Sequence, residues 1–463
     1  MTTLYHIGKP NFQADSTLPC DFAIESGCNP YSGEGLARII ESANQAFFLV
    51  CTSPQVPIPG PRAIDRMIQV ATDTGAGLLY ADYLESVDGA ITAHPLNDYQ
   101  EGSLRDDFDF GSLLLIRTEA AKQVLKTLTP SLQAAALYEL RLALSVNWPI
   151  VHLDERLYTL NTGISTDSET KQFAYVDPKN KAAQVEMETV CTSHLKAVGA
   201  WLPPVFEEID LTADTFPVEA SVIIPVRNRR RTIAEAVASV LKQQTTFPFN
   251  VIVVDNHSTD GTTEILAELA LNDTLIVHLI PERNDLGIGG CWNAGVHHAS
   301  CGRFAVQLDS DDVYSNEHVL ERIVQEFHKQ RCAMLVGSYR MCDFDLNTLP
   351  PGIIDHREWT EENGRNNALR VNGLGAPRAF FTPLLRSINL PNTSYGEDYA
   401  IGLRLSRQWK IGRIYDVLYL CRRWEENSDA SIDLVKANQF NHYKDKLRTI
   451  ELKARQQLNG SLS

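Results

Sequence analysis

The sequence predicts an α/β protein built on open twisted sheets, and three observations carry that expectation. Short apolar runs without alternation (Ser221–Pro225, Asn250–Asp255, Leu275–Ile280 and Phe304–Leu308) are separated by helical stretches. That is the pattern of strands buried on both faces of a largely parallel sheet. The acidic turn Asp309-Ser310-Asp311-Asp312 directly follows the last run, where an open α/β sheet places its ligand crevice. Segments of the first half also recur in the second, which predicts two related modules.

Taken in order, the second half reads strand Ser221–Pro225, helix Thr232–Gln244, strand Asn250–Asp255, helix Thr262–Leu271, strand Leu275–Ile280, helix Gly290–Ala299 and strand Phe304–Leu308. Its counterpart in the first half is carried by three matches. Leu79–Tyr83 parallels Leu335–Tyr339, Leu144–Leu153 parallels Leu405–Ile414, and Glu155–Tyr158 parallels Asp416–Tyr419. Each copy then leads into a helix, near Asn180–Val198 and Val435–Leu458. The first copy is shorter. Its equivalent of the acidic turn falls within Cys51–Val56, which holds no carboxylate, and no counterpart of the Asn250–Asp255 strand is expected there. The predicted organisation is a truncated, degenerate module over 1–170, a helix and linker over 171–217, the site-bearing module over 218–433 and an amphipathic helix over 434–463.

A length of 463 residues is too long for one ordinary core. A net charge of −16 argues against a protein that tracks nucleic-acid backbones. No apolar run approaches the ~20 residues of a membrane-spanning helix, and Met1–His6 lacks a secretory pattern. Nine scattered cysteines without a Cys-x-x-Cys pair suggest neither a disulfide framework nor zinc. These features lead to the expectation of a cytoplasmic protein. The C-terminal helix, with Lys436, Lys444, Lys446, Arg448, Lys453 and Arg455, is expected to pack on the sheet, with dimerisation or peripheral contact with an anionic membrane face as alternatives.

Three acids within four residues repel one another unless a cation or hydrogen-bond donors offset them. Hard oxygen ligands suit Mg²⁺ or Mn²⁺, often shared with substrate phosphates, although a solvated turn before a helix would look the same. Arg227–Arg231 is the one dense basic cluster, and its place just after a strand suits a phosphate.

Val222-Ile-Ile-Pro-Val-Arg-Asn228, Val253-Val-Asp-Asn-His-Ser-Thr-Asp-Gly261, Asp309-Ser-Asp-Asp312 and Gly396-Glu-Asp398 stand in this order, and together they resemble the inverting GT-A glycosyltransferases of family 2. The resemblance covers roughly residues 218–430 and implies a GT-A sheet, a nucleoside diphosphate sugar donor (UDP foremost, GDP or dTDP as alternatives) and a Mn²⁺ or Mg²⁺ cofactor. By the same resemblance Pro225, Val226, Arg227 and Asn228 embrace base and ribose. Asp311 coordinates the metal, and Asp309, with Ser310 beside it, serves the ribose or a metal-bound water. Asp255, at a strand end, suits the imide N–H of uracil or the N–H edge of guanine. Its alternative is a helix-capping role. The glycine-rich stretch Asn284–Gly295, with Gly287 in it, opens a helix, and by the same resemblance it would lie beside the donor, with Trp292 where relatives often carry Arg.

Asp398 is the expected general base for an acceptor hydroxyl, with Glu397 hydrogen-bonded to the acceptor. The first copy has Ala136 and Leu137 in their places, so the fold does not need those acids. Trp424 occupies the position where relatives carry a histidine metal ligand, and an indole there suits stacking on an acceptor sugar, a buried core tryptophan being the alternative. The expected activity is inverting, non-processive transfer to a glycan, lipid-linked or small-molecule acceptor. The empty module is expected to serve as scaffold, as the surface of a homodimer or as acceptor platform. The competing readings are a carbohydrate-binding pseudoenzyme and a sugar nucleotidyltransferase.

Overall fold

The computed structural model describes residues 2–6, 22–27, 29–161, 180–424, 427 and 432–462. The chain forms two compact units, one of residues 1–201, 369–371 and 433–463, the other of residues 202–368 and 372–432.

In the first unit, β1 (Thr2–His6), β2 (Phe22–Ser26), β3 (Phe47–Cys51), β4 (Ile58–Pro59), β5 (Leu78–Val87), β6 (Ala90–His94), β7 (Leu113–Arg117) and β8 (Ile150–Asn161) form one sheet. Its order is β2-β1-β3-β7-β5-β8-β4, with β6 paired to β5. All of β3 is buried, as a run without alternation requires. β2 corrects the expectation that this half lacks a strand beside its first one. It pairs in parallel with β1, Leu4 opposite Ile24. A five-residue run flanked by polar sequence carries too little pattern to be placed without its non-local partner.

The C-terminal helix (Leu434–Leu462) packs within this unit. Arg448 and Arg455 are fully buried. Arg448 pairs with Asp445 at 2.7 Å, Asp445 also accepts from Ser103 and Arg105, and Arg455 pairs with Glu451 at 2.7 Å. Buried charges persist only when paired and hydrogen-bonded, and these pairs are the form that packing takes here.

In the second unit, β9 (Ala220–Val226), β10 (Phe249–Asp255), β11 (Ile276–Leu279), β12 (Phe304–Gln307), β13 (Val313–Tyr314), β14 (Met334–Cys342), β15 (Thr348–Ile354), β16 (Arg378–Phe381) and β17 (Ile411–Arg422) form the sheet. The order is β11-β10-β9-β12-β16-β14-β17-β13, with β15 on β14. The four strands read from the sequence are present, and β9, β10 and β12 run parallel with Asp255 opposite Val226 and Gln307 opposite Ile223. Their carboxyl ends therefore share one edge, and the loops 227–231, 256–261 and 308–312 leave from it. The sheet is mixed rather than largely parallel, because β16 inserts antiparallel between β12 and β14.

The segments Asp345–Pro351 and Trp359–Asn367 are largely built into the unit. The first runs into β15. The second ends in the helical turn Gly364–Asn367, where buried Asn366 bonds both N and O of Leu202.

Candidate active site

Asp255 closes β10 with its side chain fully buried. Ser258 N donates to its Oδ1 at 3.0 Å and Thr263 Oγ1 to its Oδ2 at 2.5 Å, with His278 Nε2 3.4 Å away. Burial pushes this carboxyl up, and the donors outweigh it, holding the group below its usual range. The motif around it is braced from β9. Asn228, at φ +55°, accepts from Thr259 N (2.8 Å) and donates its own N–H to Ser258 (3.0 Å). Next to Asp255, Asn256 donates to Leu286 O, while its Oδ1 is buried with no partner among the described residues. Of the other expected base and ribose residues, Pro225 and Val226 lie in β9, Arg227 is exposed, and Ser310 is buried with its carbonyl accepting from Thr232.

The glycine-rich stretch serves packing. A Cβ on Gly287 would come within 2.5 Å of the Thr393 backbone, and Gly287 N donates to Asn392. Trp292 is buried edge-on against Phe380, a core residue, and Asn284 is exposed.

A second cluster centres on Arg378, the first residue of β16. Its Nη1 pairs with Asp398 Oδ2 at 2.6 Å, and its N–H donates to Gln307 Oε1, whose amide donates to Asp309 at 3.0 Å. Gly396, at φ +77°, turns the chain into the helix Glu397–Ser406, which presents both acids in its first turn. Glu397 is buried and its Oε2 has no partner among the described residues. Burial first, and then the adjacent Asp398 charge, push Glu397 up to about 8, so it holds a proton at neutral pH. Burial likewise raises Asp309 despite Arg378 and Gln307. Asp312, buried beside two other acids, is raised well above the usual range, and its Oδ1 accepts from Arg422 N at 2.7 Å.

The third cluster surrounds Asp311. Its Oδ2 accepts the Trp424 indole N–H at 3.0 Å and the Asn427 amide at 3.3 Å, and lies 3.7 Å from Arg229 Nε. The guanidinium carbons of Arg229 and Arg231 sit 5.6 and 5.3 Å from the Trp424 ring, and Phe344 meets that ring edge-on. The Trp424 ring, expected either to stack on an acceptor sugar or to sit in the core, lies against the chain's own arginines.

The Mn²⁺ or Mg²⁺ expected at Asp311 and Asp309 does not fit this arrangement. An indole N–H is a donor without a lone pair, and hydrogen-bond donors with a guanidinium face the Asp311 carboxylate where a hard cation needs oxygen ligands. Among the described residues no three His, Cys, Asp or Glu side chains converge as a metal-holding group.

The structure thus brings Asp309, Glu397 and Asp398 together, and sets Asp311 with Trp424. Sequence reading missed Arg378, Asn427, Gln307 and the open acceptor of Asn256. The one signal for Arg378 was a charge opening the apolar run Ala379-Phe-Phe381.

Residues 221–388 match the family model "Glycosyl transferase family 2". The putative teichuronic acid biosynthesis glycosyltransferase TuaG of Bacillus subtilis is 30% identical over 149 residues, 32% of this chain and 58% of that protein. Glycosyltransferase GlyG of Streptococcus pneumoniae is 29% identical over 119 residues, 26% of this chain and 38% of that protein. The chain therefore spans less than two thirds of the length of these relatives. Among solved structures, S. aureus TarS 1–349 in complex with UDP-GlcNAc is similar at 24% identity and TM-score 0.41, covering 50% of this chain and 66% of that one. The mannosyltransferase PcManGT of Pyrobaculum calidifontis, in complex with GDP-Man and Mn²⁺, is similar at 17% identity and TM-score 0.37, covering 60% of this chain and 84% of that one. No helix among the described residues is long and apolar enough to cross a membrane. The segment that matches this family model, residues 221–388, contains Asp255, Asp309, Asp311 and Arg378.

Proposed function

We propose that the second unit transfers a sugar from a nucleoside diphosphate sugar to an acceptor hydroxyl with inversion, in a single displacement. The observation that carries this reading is the Arg378 cluster, which holds Asp398 in an ion pair beside a protonated Glu397 at the start of one helix. Two adjacent carboxyl groups held in different protonation states divide the work of base and donor. Asp398 accepts the acceptor proton as the new glycosidic bond forms opposite the departing diphosphate. Glu397 donates a hydrogen bond to an acceptor hydroxyl and orients it. Asp255 and the open Asn256 Oδ1 receive the N–H groups of the base, with UDP the foremost donor and GDP or dTDP as alternatives. No step of this reading uses a metal.

The first unit fits the same design emptied of chemistry, because its strand order is that of the second without the outer strand. Its proposed part is that of a scaffold.

The test offers UDP-, GDP- and dTDP-sugars with a panel of glycan and small hydroxyl acceptors, measuring nucleotide release and the anomeric configuration of the product. One donor should turn over with inversion, and Asp398→Asn should lower that turnover by roughly a thousandfold while leaving nucleotide binding in place. Retention of configuration, or an unimpaired Asp398→Asn variant, would sink the reading.

A further inference from the structure

Resting on the sugar-transfer reading above, we propose that Arg229 and Arg231, seated on the Trp424 indole beside Asp311, bind the diphosphate of the donor and neutralise its charge in place of a divalent cation. Both arginines leave the carboxyl end of β9, on the edge from which the acidic turn also emerges. Both lie against one aromatic ring, 5.6 and 5.3 Å from its centroid. Arginine keeps its charge at any physiological pH and presents a planar fork that matches two phosphate oxygens, and stacking on an indole face fixes that fork in place.

Asp311 explains how two cations are held ready before the ligand arrives. Its Oδ2 lies 3.7 Å from Arg229 Nε and also takes the Trp424 N–H, so the carboxylate anchors the ring that carries the arginines. A diphosphate then exchanges with Asp311 for Arg229, a trade of one anion for another. Arg231 is exposed over the same Trp424 ring. Arg422, whose guanidinium lies over Phe344, adds a buried Nη2 with no acceptor among the described residues to the same cluster. Asp311 is therefore a positioning residue here rather than a ligand of a cation. Trp424 joins the parts of this design, because its ring carries both arginines and its N–H is turned toward Asp311.

The experiment titrates UDP, GDP and dTDP into the full chain by calorimetry, once with a chelator and once with Mn²⁺. The expected result is that one nucleotide binds in chelator and that Mn²⁺ changes its affinity by less than about tenfold. Arg231→Ala should weaken that binding by about tenfold, and Arg229→Ala with Arg231→Ala by about a hundredfold, as loss of charge-assisted hydrogen bonds predicts. Far-ultraviolet circular dichroism checks that each variant is folded. Trp424→His in the double variant should restore binding only when Mn²⁺ is present. Binding of wild type that requires Mn²⁺ overturns the proposal while leaving sugar transfer standing. So does a folded double variant with wild-type affinity. Absence of binding by all three nucleotides, with and without Mn²⁺, overturns the proposal together with the reading it rests on.

Discussion

In the first sheet β3 meets β7 with Leu49 opposite Leu115 and Val50 opposite Leu114; in the second β12 meets β16 with Val306 opposite Ala379, and the next step brings Gln307 to Arg378. The register through the neighbouring strand agrees, since Leu79 faces Leu115 in one and Leu335 faces Ala379 in the other. Two apolar residues thus stand where the second sheet has an amide and a guanidinium. One turn further on, Thr52 stands in the place of Asp309 and bonds Gly111 O with its hydroxyl. The first sheet closes this edge with its own side chains. The second leaves carboxylates there, and it needs Arg378 to make them tolerable.

The helix starts differ in the same sense. At the start of Ala136–Asn147, Glu186 accepts from the backbone N–H groups of Gln133, Ala134 and Ala135, at 2.9 to 3.2 Å. The start of Glu397–Ser406 carries its own acids, one of them with a buried oxygen that has no partner among the described residues. A helix N-terminus favours a carboxylate. The first unit spends that preference on an internal plug, and the second keeps it for a ligand.

Four substitutions break or sharpen this contrast. Asp398→Asn should lower turnover by roughly a thousandfold, within the range for loss of a general base, with nucleotide affinity unchanged by calorimetry. Arg378→Leu imports the residue of the first sheet without its apolar partners. It leaves buried acids uncompensated and should cost about 3–5 kcal/mol in urea unfolding; a neutral outcome would show that the acids simply protonate. Glu397→Gln tests the raised carboxyl. The folded-state value of about 8 lies above the unfolded value of 4.5, so the wild type should lose stability as pH rises between those values. The variant should lack that slope and gain roughly 2–4 kcal/mol relative to wild type above the upper value. A parallel pair of stability curves would refute the assignment of the proton. Glu186→Ala, the smallest effect, should cost about 1 kcal/mol as a lost helix cap does, without touching nucleotide binding.

Much of the second unit was legible beforehand. Runs such as Val251–Val254 are apolar on both faces, and only a buried strand satisfies such a run. The acids Asp255, Asp309, Asp311 and Asp398 stand out because each closes a short motif at a strand end or a helix start. The antiparallel insertion of β16 was not legible, because four residues carry no direction. Nor was β2, whose sole credential is its pairing with β1.

What the sequence by itself determined is the chemistry on offer: an α/β scaffold, carboxylates at strand ends, a basic run after β9, and a tryptophan at 424. Which of these groups face one another was decided only by the tertiary structure. Arg378 reaches Asp398 across 20 positions, and Trp424 reaches Asp311 across 113. Pairing of this kind depends on how separate strands and a helix converge at one sheet edge, and local propensity is silent on it. The protonation of Glu397 belongs there too, since burial and a neighbouring charge arise only once the chain has folded.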